Sequence, residues 1–276
     1  MFSAKQSELL NPSNPLLLSA TQAAIRRKAE AEAADPALFA RRAGVDLDPW
    51  QCDALRIKAR RMILLCSRQA GKSSVTAWVS LHTAVYQPSS LILVLAPALR
   101  QSQELFFKIK SAINNIGAAL PTPITEESAL RLAFANGSRI ICLPGKTDAT
   151  IRGFSGVALL VIDEAARVSD EIFAAISPML AVSQGRMILL STPWGRRGFF
   201  WQMWSEGGSE WHRVKVTARE CPRISPAWLE AENRAIGAHW FASEYECEFI
   251  DALDQVFATD DIEAAFSDDT IQPLFL

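Results

Sequence analysis

The sequence predicts an α/β fold, a mainly parallel sheet with helices on both faces, on three observations. Short, almost wholly apolar runs recur at 62–65, 90–95, 158–162 and 187–190, as strands buried on both faces do. Longer stretches of helical character separate them; in 99–116, Leu105, Phe106, Ile109 and Ile113 fall close to one face. The 276 residues are 49% hydrophobic and 21% charged, which suits one large domain, or one domain with a small appendage.

The elements follow in order. Residues 1–18 carry Asn-Pro breaks and little periodicity, so an irregular arm is expected. Residues 21–33 are rich in Ala, Arg, Lys and Glu, good helix material. Asp35-Pro36 starts a second helix that stops at Gly44, and Asp48-Pro49 starts a third that carries Trp50 and Gln51. After the strand at 62–65 comes a loop ending in Gly71-Lys72-Ser73, then a helix over 74–86. The strand at 90–95 leads through Ala96-Pro97 to the helix at 99–116, and 121–125 reads as a loop. Asn136-Gly137 between alternating runs at 130–134 and 140–143 predicts a hairpin. A polar loop spans 144–155. The strand at 158–162 ends in Asp163-Glu164, a helix starts near Ser169-Asp170, and the strand at 187–190 ends in Ser191-Thr192-Pro193. A last strand is expected at 211–216, then helices at 226–236 and 241–249. The division expected is an N-terminal arm with helices over 1–44, a core over 45–220, and a helical bridge over 221–276.

Ligands in such sheets bind beyond the carboxyl ends of the strands, and the motifs fall there. Strand, loop ending in Gly71-Lys72-Ser73, then helix is the context of a phosphate-binding loop. Backbone N–H groups of Ser67, Arg68, Gln69, Ala70, Gly71 and the helix start, through Ser74, would face phosphate oxygens, and the helix dipole favours the same anion. Lys72 would reach the outer phosphates, and the Ser73 hydroxyl would ligate Mg²⁺. One letter departs from the usual loop: Cys66 stands where a glycine is common. Asp163 would hold Mg²⁺ as well, and Glu164 would polarise the attacking water, because phosphoryl transfer rests on positioning and charge neutralisation. Together these predict a P-loop NTPase of the ASCE, RecA-like kind, with ATP and Mg²⁺ as ligands. The two-faced amide of Gln51 suits adenine reading, and Ser191 and Thr192 could sense the γ-phosphate. Arginines that could stabilise transition-state charge are Arg68 in the loop, Arg131, Arg152, and Arg196 or Arg197.

Other chemistry finds no support. Five scattered cysteines without a C-x-x-C spacing fit neither a disulfide framework nor a structural zinc, and three histidines are dispersed. No apolar run reaches membrane-span length and no signal pattern opens the chain, so a cytoplasmic protein is expected. A net charge of −2 does not advertise nucleic-acid binding, although Arg26-Arg27-Lys28, the run from Arg56 to Arg61 and Arg196-Arg197 are local basic clusters. Acids near the end, from Asp251 to Asp269, read as solvated linker charges.

The ordered set resembles the ATPase domain of the large terminase subunit, the motor that packages DNA into tailed-phage heads. Ser67-Arg68-Gln69-Ala70-Gly71-Lys72-Ser73 is similar to that family's variant P-loop, in which the first glycine is commonly replaced, and Pro49-Trp50-Gln51 to its adenine motif. Ala96-Pro97, Ile151-Arg152-Gly153, Leu160-Val161-Ile162-Asp163-Glu164 and Ser191-Thr192-Pro193 follow in its order. The resemblance implies ATP-driven translocation of double-stranded DNA by a homo-oligomeric ring on the portal, with a small terminase subunit as partner, in a phage- or prophage-bearing bacterial host. Independently of the resemblance, Arg68, best placed to act in cis, and Arg152 are the arginines expected to assist catalysis. The family's nuclease domain would begin about where the chain stops, so endonuclease activity is not expected of it. A helicase-like remodelling ATPase and an inactive remnant serving as a nucleotide-gated scaffold are the alternatives.

Overall fold

The structure, a computed structural model, describes residues 15–145, 153–250 and 264–266. Its centre is an eight-stranded sheet. In chain order the strands are β1 (Arg61–Cys66), β2 (Leu91–Ala96), β3 (Ile124–Glu127), β4 (Arg131–Phe134), β5 (Arg139–Pro144), β6 (Val157–Asp163), β7 (Arg186–Ser191) and β8 (Trp211–Val216). They lie side by side as β3-β4-β5-β2-β6-β7-β1-β8. From β5 to β8 every pairing is parallel; β3, β4 and β5 form an antiparallel edge.

Side-chain alternation builds a core on each face. Met62, Leu64, Ile92, Val94, Leu159, Val161, Ile188 and Leu190 point to one side. There they meet α2 (Pro36–Arg42), α3 (Pro49–Arg56), α4 (Lys72–Tyr86) and α5 (Leu99–Ile116). Ile63, Leu65, Leu93, Leu95, Leu160, Ile162, Met187 and Leu189 point to the other. That face is covered by α6 (Asp170–Ile176) and α7 (Gly198–Ser205). The N-terminal helix α1 (Pro15–Ala34) is exposed over its side chains from 22 to 31 and is fastened at its end. Buried Glu32 there pairs with Arg42 at 2.5 Å and accepts from the Tyr86 hydroxyl at 3.3 Å. Phe39 of α2 sets its ring edge against Trp78 and Tyr86 of α4.

Several expectations need correction. Residues 15–18, expected in an irregular arm, belong to α1; the rest of that arm, 1–14, lies outside the described residues. The supposed loop at 121–125 runs into strand β3. Helix α7 was not foreseen, because Gly198-Phe-Phe-Trp reads as a turn followed by an apolar run. The helix expected over 241–249 is instead α9 (Ala238–Glu244); it follows α8 (Pro226–Ile236), from which Gly237 at φ 81° separates it. Beyond Glu244 the chain turns through Cys247 at φ 59°, and its thiol donates to the Val216 carbonyl at 3.3 Å. The expected hairpin is present: Asn136 donates to the Ala84 and Val85 carbonyls, and Gly137 takes φ 83°.

Candidate functional site

The site gathers at the carboxyl ends of β1, β6 and β7. Strand β1 is buried through Cys66, after which the Ser67 N–H donates to Val216 O of β8 at 2.9 Å. The loop then turns through Gln69 at φ 58° and Gly71 at φ 94°, and α4 begins at Lys72, two residues earlier than expected. Gly71 is required twice over. Its φ disfavours other residues, and a Cβ there would stand 2.4 Å from Nε2 of Gln51. Among the described residues, no acceptor meets the N–H groups of Gln69, Ala70 and Gly71. Unpaired N–H groups at a helix start form an anion cradle. Ser73 and Ser74 lie partly exposed in the first turn of α4 beside it.

Cys66 is not a gap in that cradle. It is the last residue of β1, aligned with Val216, and its side chain enters the core beneath α4. An extended residue with core on that face has no need of glycine. Burial pushes its thiol pKa up, so the sulfur stays neutral.

Lys72 is buried and its ammonium lies 3.3 Å from Ser67 O and 3.8 Å from Oε1 of Glu164. Asp163 is also buried. Burial first, and then repulsion from Glu164, raise its pKa to about 6, against the opposing pull of Lys72. A buried carboxylate that shares Lys72 with Glu164, with only a weaker pull from Lys108, is short of positive charge, which is the condition a divalent ion relieves. Glu164 takes the left-handed conformation, φ 48° and ψ 42°, rare for a residue with a side chain. The turn brings the Glu164 N–H to Oδ1 of Asp163 at 3.0 Å and the Ala166 N–H to Oγ of Ser191 at 3.2 Å. Ser191 and Thr192, both buried, thus end β7 directly beside the segment that carries the acids.

Gln51 reaches the loop too. Its oxygen accepts from the Asp48 N–H at 2.9 Å and its amide donates to Gly71 O at 3.0 Å, so both ends of the side chain are engaged by the protein. Trp50 packs partly buried against the core beside it. Arg68 is drawn away from the loop: its Nε donates to Oε2 of Glu244 at 2.9 Å, and its N–H to the Glu244 carbonyl. Arg131 pairs with Glu126 on the antiparallel edge, well away from β1 in the strand order. Arg197 lies 5.9 Å from the Trp194 ring, while Arg167 stacks on that ring at 3.8 Å. Ile151 and Arg152, and the acids from Asp251 to Asp261 and at 268–269, lie outside the described residues.

Two further residues hold the loop, and their contact with it is not foreseen from the sequence. Arg223 forks onto Asp48, with Nη2 at 2.6 Å from Oδ2, and donates to Ala70 O at 2.8 Å. Glu244 holds Arg68. Both belong to the C-terminal layer, whose small core is Ala218, Leu229, Phe241 and Tyr245. Nothing local reveals either contact, because their partners are 153 to 176 residues away.

Strand β7 lies between the loop strand β1 and the acid strand β6, and the phosphate loop joins β1 to α4, so the fold is that of a P-loop NTPase of the ASCE kind. A sequence model described as "Terminase large subunit, T4likevirus-type, N-terminal" matches residues 63–264. The chain belongs to that family. It is 25% identical over 161 residues to the terminase large subunit of Thermus phage G20c, covering 52% of this chain and 33% of that protein. To the terminase large subunit of Escherichia phage T5 it is 24% identical over 215 residues, 75% of this chain and 48% of that protein. The chain thus spans a third to a half of these relatives' length. In fold it is similar to the large terminase ATPase domain of Thermus phage P74-26, with a TM-score of 0.68 at 20% identity over 76% of this chain and 96% of that one. A large terminase from a thermophilic bacteriophage, solved in complex with ATP-γ-S, superimposes with a TM-score of 0.62 at 13% identity, over 74% and 53%. Among the described residues, no helix is long and apolar enough to cross a membrane.

Proposed function

We propose that this chain is the ATP-hydrolysing motor part of a terminase-type packaging enzyme, coupling hydrolysis to translocation of double-stranded DNA. The observation that carries the proposal is the convergence of Lys72 and Glu164, 3.8 Å apart, beside a loop of unpaired N–H groups. Lys72 gives up its contacts with Ser67 and Glu164 to take phosphate oxygens. That frees Glu164 to accept a hydrogen bond from the attacking water and aim it in line. Ser73 and Asp163 are the residues that would hold Mg²⁺, and the ion neutralises charge on the phosphates when bound. Gln51, by gripping Gly71, ties the adenine side of the site to the loop. Ser191 and Thr192 transmit loss of the γ-phosphate through the Ala166 N–H.

Arg68 acts in cis once it leaves Glu244, and Arg152 is a second arginine that would stabilise the transition-state charge. The working form is a homo-oligomeric ring docked on a portal, with a small terminase subunit as partner, in the cytoplasm of a bacterial host. Cutting of DNA is assigned to no residue described here. The test is packaging itself. With portal-bearing procapsids, ATP and this chain, duplex DNA should become protected from added nuclease, and Lys72→Ala should abolish the protection. Equal protection with Lys72→Ala would sink the motor reading.

A further inference from the structure

The basic run from Arg56 to Arg61 is not one patch. Arg56 is neutralised by Asp35 at 2.9 Å, with Asp53 at 3.9 Å. Lys58, Arg60 and Arg61 are not neutralised: among the described residues none forms an ion pair, although Lys58 and Arg60 are exposed. The fold adds a fourth cation from a distant segment. Arg186, at the start of β7, donates from Nε to Ala59 O at 3.1 Å and from Nη2 to Ile57 O at 2.7 Å. It therefore fixes the very turn that presents Lys58 and Arg60. Arg60 reaches Gln184 at 2.8 Å and Arg61 reaches Gly185 O at 3.3 Å, so the turns at 57–61 and 184–186 are laced together by arginines. Arg61 loses basicity to burial and to the charge of Arg60, a mark of mutual repulsion at this edge.

In a chain of net charge −2, four cations gathered at one edge without an ion pair among the described residues repel one another. Their position gives them a use. They lie at the amino ends of β1 and β7, and the carboxyl ends of those two strands carry the phosphate loop and Ser191-Thr192. A six-residue strand spans roughly 20 Å. The edge is thus separate from the nucleotide site but rigidly joined to it by two adjacent buried strands.

We propose that the edge formed by Lys58, Arg60 and Arg61, presented by the turn that Arg186 fixes, binds the phosphodiester backbone of duplex DNA. Lys58 and Arg60 are exposed and, among the described residues, meet no carboxylate, so their charge is available to phosphates, while the part-buried Arg61 and Arg186 meet carbonyls and hold the turn beneath them. The contact is one of charge and carries no sequence preference. The choice of DNA over another polyanion rests on the motor reading; the uncompensated edge does not.

The experiment measures binding of a fluorescent duplex of arbitrary sequence, about 30 base pairs long, to the chain over a salt series, alongside ATP turnover. Lys58→Glu with Arg60→Glu should weaken binding about tenfold or more and lower the slope of log affinity against log salt by about 2. Thermal midpoint and ATP turnover should stay unchanged. Arg26→Glu with Arg27→Glu, the same charge change on exposed α1, should leave binding near wild type. Unchanged affinity and slope in the first pair overturns the proposal. So does a wild-type chain that ignores the duplex but binds polyglutamate through the same residues, which would mark an acidic protein surface as the ligand. Absent ATP turnover in the wild type would count against the motor reading alone, because duplex binding is read independently of it.

Discussion

At the residue scale the decisive group is Asp163. Its pKa of about 6 lies above the usual carboxylate value of 3.8, so the folded state holds the proton more tightly than the unfolded chain. Without a bound cation, stability falls as pH rises from about 4 to about 6, and the loss persists above that. Asp163→Asn removes it. The unliganded variant should be more stable than wild type at neutral pH by roughly 1–3 kcal/mol, the difference vanishing near pH ~4. Urea denaturation at the two pH values reads this; equal stability at both would show that Asp163 is not starved of positive charge. The same shift predicts that apparent Mg²⁺ affinity falls as pH drops below about 6, since a ligating carboxylate must be deprotonated. Its neighbour Glu164 carries a different cost: a non-glycine residue in the left-handed region gives up on the order of 1–3 kcal/mol. That strain sets the turn in which Ser191 meets the Ala166 N–H.

At the element scale the phosphate loop is held from both sides, by α3 through Gln51 and by the C-terminal layer through Arg223 and Glu244. Gly71→Ala should therefore fail on both conformation and space, destabilising the fold by roughly 1–3 kcal/mol and weakening nucleotide binding, as thermal melts with and without ATP would show. Wild-type melting in the variant would mean that the Gln51 contact is dispensable. Arg223 and Asp48 form a forked pair on a half-exposed arginine, so Arg223→Met with Asp48→Asn should couple by about 1 kcal/mol in a double-mutant cycle. Because that pair holds the loop through the Ala70 carbonyl and the start of α3, away from Lys72 and Glu164, its loss should raise KM for ATP more than it lowers kcat. A fall in kcat alone would argue against a positioning role.

This scale also shows what is legible in the sequence. Strands β1, β2, β6 and β7 are plain because each is a closed apolar run between turns, and the motifs at their ends come with them. Strand β3 is hidden by Pro121 and Pro123 and by its two exposed glutamates. Helix α9 is shorter than its composition suggests, because composition alone does not reveal that Cys247 must turn left-handed to dock on Val216. Cys66 reads as a defect while only its letter is visible; its place at the end of a buried strand removes the difficulty. The loop contacts of Arg223 and Glu244 are unreadable, since nothing but tertiary folding brings these residues to the loop.

At the scale of the whole molecule, the sheet places charge of opposite demand at its two ends. The carboxyl ends of β1, β6 and β7 gather unpaired N–H groups, a buried lysine and two acids; the amino ends of β1 and β7 gather uncompensated cations. Two cores, one on each face, make the strands between these ends a single rigid body. Membership of the terminase large-subunit family fits that division. The central claim is that Glu164 activates water for hydrolysis of ATP held by the Lys72 loop. Glu164→Gln tests it most directly, with ATP turnover and ATP binding measured on the same preparation. Turnover should fall by at least about a hundredfold while the dissociation constant for ATP changes less than about threefold. Turnover near the wild-type rate, with binding intact, would contradict the claim.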